Sequence, residues 1–244
     1  ADGTGAAGTG GLTMSGTGPL TLTYTNTYTG DTNIGSGGTL VIANNDPSTA
    51  SSGFFGSGAL RVESVAASFN NGFSNTGWIF DTSLGGVTLG KSGNTSDITI
   101  DAVVSIDGPM TIYGGHVAVN AAVDTSTAGT PGIVSVVAST GIDLAANVTS
   151  AGAVTLDGAV TMTDGVTLAG STISFNDTVV GNQALTVTGN AEFDGDVGAG
   201  QGNELTSLSV SGTTELGGNI TTTGAQTYTG ATTLTGNRTL IGSG

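Results

Sequence analysis

The last third of the chain repeats in units of six residues. From Leu208 onward it reads LSVSGT, TELGGN, ITTTGA, QTYTGA, TTLTGN and RTLIGS, and the fifth place of every unit is Gly. The third place is mostly large and apolar, with Val210, Leu216, Thr222, Tyr228, Leu234 and Leu240 in succession. Spacing this regular predicts similar short elements stacked on one another, because each unit is too small to bury an apolar face alone.

Each unit is typical of a short β-strand followed by a corner. Val, Ile, Thr and Tyr favour strands, and their alternation sends one set of side chains inward and the other outward. Gly at the corner indicates a backbone with positive φ. A helix is disfavoured, because the apolar residues do not recur at spacings of three and four and Gly is too frequent.

These features predict an all-β fold, a right-handed parallel β-helix that forms a single domain over residues 1–244. Three units give one turn of about 18 residues, and successive turns hydrogen-bond about 4.8 Å apart. A left-handed β-helix has the same period, and a β-sandwich is a third alternative, although its turn signals fall every 8–12 residues or so. Slips in the repeat and the insertion at residues 198–202 favour the right-handed form.

Residues 45–84 depart from the repeat, and we interpret them as wider coils or an irregular aromatic-rich insertion. The segment holds Phe54, Phe55, Phe69, Phe73, Trp78 and Phe80. Two alternatives stay open for these rings. They pack in a local core, or Phe54, Phe55 and Trp78 form an exposed patch that binds a ligand.

Charged residues are few and almost all acidic. The chain has 18 Asp and Glu against 3 Lys and Arg, a net charge of −15, and no Cys. Nucleic acid is therefore excluded as a partner, since binding phosphate requires basic side chains, and so are disulfides and thiolate metal sites. No run approaches the ~18 apolar residues of a membrane helix, so no transmembrane segment is predicted. Both termini interrupt the repeat, and we expect a fragment of a longer repetitive protein.

One acidic group is a candidate metal site. Glu192, Asp194 and Asp196 alternate along a predicted strand, so their carboxylates face one side and offer oxygen ligands for a weak Ca²⁺ site. A solvated acidic face is the alternative, and the G-G-x-G-x-D repeat that builds Ca²⁺ ladders is absent. No other cofactor is predicted.

Catalytic residues are not predicted, and we expect that the chain is not an enzyme. His116 is the single His, and no G-x-S-x-G nucleophile motif occurs. Asp97 with Asp101, or Asp143 with Asp157, would stack on adjacent coils as a glycosidase pair requires. Carboxylates scattered along any rod do the same.

Two stretches resemble known secreted repeats. Residues 26–30 (NTYTG), followed by 32–34 (TNI) and 38–40 (GTL), resemble the autotransporter-associated β-strand repeat, and residues 226–234 are a weaker copy. Residues 96–123 are similar to the repeats of filamentous-haemagglutinin-type adhesins.

The resemblance implies a right-handed β-helix exported to the bacterial surface, where it serves as a stiff rod in adhesion, biofilm or matrix assembly. The expected partners are further copies of the chain, or a host or matrix surface that includes glycans. The alternative is a carbohydrate-binding or carbohydrate-cleaving β-helix of the tailspike or lyase type. A groove with two close carboxylates and flanking aromatic residues would favour that alternative.

Overall fold

The computed structural model describes residues 10–23, 28–47, 53–127 and 132–242. The regular structure in these ranges is 25 short β-strands, with no helix. In chain order they are β1 (Leu12–Met14), β2 (Pro19–Leu22), β3 (Thr32–Ile34), β4 (Thr39–Ala43), β5 (Phe54–Phe55), β6 (Ala59–Glu63), β7 (Phe73–Ser74), β8 (Gly86–Leu89), β9 (Ile98–Ile100), β10 (Val104–Ser105), β11 (Met110–Val119), β12 (Val123–Thr125), β13 (Val134–Leu144), β14 (Val148–Ser150), β15 (Val154–Asp157), β16 (Val160–Met162), β17 (Val166–Phe175), β18 (Val179–Val180), β19 (Ala184–Phe193), β20 (Ser207–Val210), β21 (Thr214–Leu216), β22 (Ile220–Thr221), β23 (Gln226–Tyr228), β24 (Thr232–Leu234) and β25 (Leu240–Ile241).

The strands form a parallel β-solenoid of about eleven turns. Each turn is numbered by its strand on the first face, which comprises β2, β4, β6, β8, the first parts of β11 and β13, β15, the last parts of β17 and β19, β21 and β24. The predicted all-β parallel fold is confirmed. Its right-handed sense stays a prediction, since coils of either hand share this pairing pattern.

Two further faces complete each turn. The second face comprises β7, β9, the last parts of β11 and β13, β16, β18, β22 and β25. The third face comprises β10, β12, β14, the first parts of β17 and β19, β20 and β23. In the first turns a separate three-stranded sheet of β1, β3 and β5 precedes the first-face strands.

Inward side chains keep one register along the whole stack. On the first face a single column runs through Leu22, Ile42, Val62, Leu89, Ile112, Val136, Leu156, Phe175, Phe193, Leu216 and Leu234. The buried members of this column belong to one hydrophobic cluster that extends from Met14 to Ile220. Burial of each large aliphatic or aromatic side chain in such a cluster stabilises the folded state by about 1.5–3 kcal/mol relative to leaving it exposed.

The six-residue units of the C-terminal third correspond to single faces. β20, β21 and β22 occupy the third, first and second faces in turn, and β23 returns to the third. Val210 pairs with Tyr228, so this turn takes the predicted 18 residues.

Glycine at the unit corners has a different cause from the one expected. Gly212, Gly218, Gly224 and Gly230 do not have positive φ. A Cβ on Gly218 would instead lie 2.1 Å from the carbonyl oxygen of Gly195, and one on Gly230 would lie 2.3 Å from that of Gly212. Glycine is needed at these corners because the backbone of the preceding turn approaches too closely for any side chain.

Turn 3, within residues 45–84, is wider than the C-terminal turns. Leu60 and its partner Val87 are 27 residues apart. The buried side chain of Asn75 fixes the corner after β9 in the next turn. Its Nδ2 donates to Ala102 O at 2.7 Å, and its Oδ1 accepts from the backbone N–H groups of Asp101 and Ala102. Hydrogen bonds within the loops therefore replace the strand pairing that longer corners lose.

Nowhere in the described ranges does the chain form a helix with the length and hydrophobicity needed to span a membrane.

Candidate functional site

The aromatic residues predicted as a ligand patch do not share one surface. Phe54 and Trp78 are 0% and 6% exposed, and their rings stack 5.4 Å apart in the core. Phe73 meets the Trp78 indole edge-on at 5.3 Å. Phe55 follows Phe54 on the same strand, so it faces outward, where it is half-buried. The exposed patch is therefore not formed, because the core of the wide turns holds two of its three rings.

The carboxylates predicted as a Ca²⁺ site do not converge either. β19 ends at Phe193, and the chain turns at Gly195 toward the second face. Glu192 accepts a hydrogen bond from Ser174 Oγ at 2.9 Å, whereas Asp196 accepts one from the backbone N–H of Asn219 at 2.7 Å. No group of three or more His, Asp or Glu side chains in the described parts is arranged to hold a metal ion. Every second side chain faces the same side only while the chain continues as one strand. The corner after Phe193 ends the strand, so Asp194 and Asp196 do not continue the row that Glu192 begins.

His116 lies on the second face beside two carboxylates. Its Nε2 is 3.4 Å from Asp143 Oδ2, and its backbone N–H donates to Asp97 Oδ1 at 3.2 Å. Asp101 lies at the opposite end of β9 from Asp97, where hydrogen bonds from Asn120 and Ser74 hold the pKa of its carboxyl below the ordinary value. Asp97 and Asp101 therefore lie at opposite ends of one strand, and Asp143 lies against His116.

A groove of about 370 Å³ lies at the corner between the first and second faces, across turns 4 to 8. An outward column formed by Tyr113, Val137 and Asp157 lines it, one residue from each of three successive turns. Asn176 and Asp177 continue the lining into the next turn. The groove thus brings two carboxylates, those of Asp157 and Asp177, to the same corner as an aromatic ring.

Small residues and one long loop create this concavity. Gly114, Ala138 and Gly158 line the groove with little or no side chain. In turn 4 the chain takes nine residues from Leu89 to Ile98, whereas turn 5 takes five between their partners on β11. The extra residues form a wall on one side of the groove, and residues 93–95 are the part of this wall that lines it.

Asn94 holds this wall in place. It is 4% exposed, and its amide donates to Tyr113 O at 2.8 Å and to Ser96 O at 3.0 Å. The wall is therefore tied to the strand that carries the aromatic ring, so the groove is a fixed part of the fold.

The groove offers two carboxylates, amide and hydroxyl groups, and one aromatic ring. Asp157 and Asp177 are exposed, and within the described ranges the carboxylate of Asp157 accepts no hydrogen bond. Asp177 accepts one from the backbone N–H of Thr178 at 2.7 Å. The six-residue repeat does not predict this site: Asp157 is a candidate only as a partner of Asp143, and Asp177 belongs to no predicted group.

The comparison with protein families concerns the N-terminal turns. Residues 12–42 match a family model, the passenger-associated-transport-repeat. This part of the chain is therefore similar to a passenger-associated transport repeat. The predicted resemblance to the autotransporter-associated repeat is thereby confirmed, although residues 26 and 27 of its motif lie outside the described residues.

The transport repeat comprises β1, β2, β3 and most of β4. A parallel β-solenoid that begins with such a segment is similar to an autotransporter passenger-type domain. Comparisons with curated proteins and with solved structures found no match. The similarity of residues 96–123 to filamentous-haemagglutinin repeats stays a prediction.

Proposed function

We propose that the chain is a structural and adhesive segment of a bacterial surface protein, a stiff β-helical rod displayed outside the cell. The observation that carries this proposal is the continuous inward column of the first face, which begins inside the transport repeat and continues through every later turn. The transport repeat supports export, since its family is one of passenger proteins.

Stiffness follows from the pairing. Turns repeat at about 4.8 Å, so eleven turns make a rod about 50 Å long. Each turn hydrogen-bonds to the turns before and after it, and the core runs along the axis without a break. Such a rod holds whatever it carries at a fixed distance from its anchor.

The surface charge suits a displayed fibre. The net charge is −15, which keeps a long protein soluble and separated from other anionic surfaces. Adhesion therefore relies on uncharged contacts or shape, with host or matrix glycans as the favoured partners and self-association as the second.

Catalysis is not part of the proposal. His116 lies 3.4 Å from Asp143 on the second face and does not line the groove that holds Asp157 and Asp177, which we assign to binding. Incubation with polysaccharides is expected to release no reducing sugar. Release that disappears in Asp157→Asn would overturn this part of the proposal.

Surface display is tested on cells that express the complete gene. Antibodies against the chain should label intact cells, and external protease should remove the label while a cytoplasmic marker stays intact. Labelling that requires permeabilised cells would contradict display. Deletion of the coding region should then reduce attachment to matrix-coated surfaces, and unchanged attachment would contradict the adhesive role.

A further inference from the structure

We propose that the corner groove binds a neutral oligosaccharide chain, with Tyr113 as a stacking platform and Asp157 and Asp177 as acceptors for sugar hydroxyls. This inference names a ligand for the proposed adhesive role. Its biological meaning rests on that role, but the binding itself does not, because binding is measured on the isolated chain.

The groove chemistry points to a ligand rich in hydroxyl groups. Ionised carboxylates only accept hydrogen bonds, so Asp157 and Asp177 require a ligand that donates. Ser139, also in the lining and exposed, both donates and accepts. Tyr113 adds a half-buried ring with an apolar face and a polar tip, a combination that suits a sugar with one apolar face and hydroxyls at its edge.

Charge restricts the ligand to neutral sugars. Two carboxylates line the groove, and the protein carries only three basic side chains, Arg61, Lys91 and Arg238. Lys91 is engaged elsewhere, since its Nζ donates to Ser64 O at 2.8 Å. Uronic acids and sialylated chains would therefore meet like charge without a compensating cation.

Backbone pairing argues against a peptide strand as the ligand. β13, at the centre of the groove, pairs with β11 on one side and β15 on the other, so it offers no open edge to which a strand could add. Recognition must therefore act through outward side chains, which is how a hydroxylated chain is bound.

The direction of the groove indicates a chain rather than a single sugar. Its lining side chains come from five successive turns, so they are distributed along the axis of the solenoid. A linear oligosaccharide lying along this axis contacts Tyr113 near the wall and the two carboxylates farther along.

The test is calorimetric titration of the purified chain with linear hexasaccharides of glucose, mannose and galactose, and with a hexasaccharide of galacturonic acid. At least one neutral probe should bind saturably, and the acidic probe should bind at least about tenfold more weakly. Absence of saturable binding by all three neutral probes, or equal affinity for the acidic one, would overturn the proposal. Binding that EDTA abolishes would assign the groove to a cation and overturn it as well.

Variants locate the site. Tyr113→Ala should weaken binding about tenfold, whereas Tyr113→Phe keeps the ring and should bind within about twofold of the parent. Asp157→Asn and Asp177→Asn should each weaken binding several-fold, since a charge-assisted hydrogen bond is lost. Phe55→Ala and Asp164→Asn are the matched controls away from the groove and should bind as the parent does. Unchanged binding by Tyr113→Ala with an unaltered unfolding midpoint would place the ligand elsewhere.

Failure of this titration leaves surface display untouched, because display is scored by labelling of intact cells. Conversely, a chain that binds sugar but is never labelled on intact cells would retain the groove assignment and lose the adhesive role.

Discussion

The rings of Phe175 and Phe193 stack face to face in neighbouring turns, with centroids 4.8 Å apart and planes inclined by 4°. This separation equals the spacing of paired strands. Both residues occupy the same inward column and both are fully buried. The solenoid thus aligns aromatic rings without any side-chain rearrangement, because the strand pairing already sets their distance.

Truncation of this stack should be strongly destabilising. Phe193→Ala is expected to lower the free energy of unfolding by about 3–5 kcal/mol, because it opens a cavity between Phe175 and Leu216. Phe193→Leu should lower it by about 1–2 kcal/mol. Urea denaturation followed by circular dichroism measures both. Phe55→Ala, which removes an outward ring, is the control, and an equal loss in that variant would contradict the packing argument.

Glycine substitutions should separate close approach from backbone strain. At Gly189 φ is +131°, and a Cβ would lie 1.9 Å from Gly170 O. At Gly93 φ is +84° with open space around it, and at Gly18 neither constraint applies. Gly93→Ala should lower the free energy of unfolding by about 1–2 kcal/mol, and Gly189→Ala should lower it by more. Gly18→Ala should be neutral or stabilising by up to about 1 kcal/mol.

Thermal unfolding midpoints rank these three variants. Equal midpoints for the Gly189 and Gly93 variants would show that the preceding turn moves aside at no cost, which contradicts the explanation of the corner glycines.

A buried hydroxyl in turn 10 should be dispensable. Thr214 lies in the inward stack between Ala191 and Thr232, and its Oγ1 has no hydrogen-bond partner among the described residues. Thr214→Val keeps the shape and removes the unpaired polar group, so it should raise the free energy of unfolding by about 1 kcal/mol. Thr155→Val, outward on the same face, should change it by less than about 0.5 kcal/mol. A loss of stability in Thr214→Val would indicate that the hydroxyl is bonded.

Alkaline pH should loosen the last turns through Tyr228. Burial raises the pKa of Tyr228 to about 12, from 10.0. Between these values the unfolded chain loses the phenolic proton while the folded chain keeps it, so stability is complete below pH 10 and falls as pH rises toward 12. Unfolding midpoints measured across this range should fall more steeply in the parent than in Tyr228→Phe. Parallel slopes would contradict the assignment.

The repeat predicted the fold where each unit supplies one strand and one corner. Val210 and Leu216 are inward as their places in the unit require, and even Thr222 is buried at such a place. The reason for the glycines was not predictable from one unit, because their crowding comes from the carbonyl of another turn. The period of the sequence predicts the order of strands and corners within a turn, but it does not predict how closely the backbones of neighbouring turns approach.

The predicted sites failed for a related reason. Phe54 and Trp78 lie in a segment that departs from the six-residue repeat, and their stacking depends on how the wide turns close. Asp157 and Asp177 are 20 residues apart and meet at the corner groove only because one turn separates them. Turn length in this region varies, so the pairing of residues from different turns could not be read from the spacing alone.

Because each turn pairs only with the turns next to it, local damage is expected to unfold the solenoid locally. A globular domain shares its contacts widely and melts as one unit, whereas damage to one rung here weakens mainly its two neighbours. A nick or an oxidised side chain in a middle turn is thus expected to produce local fraying, with ordered segments persisting on either side.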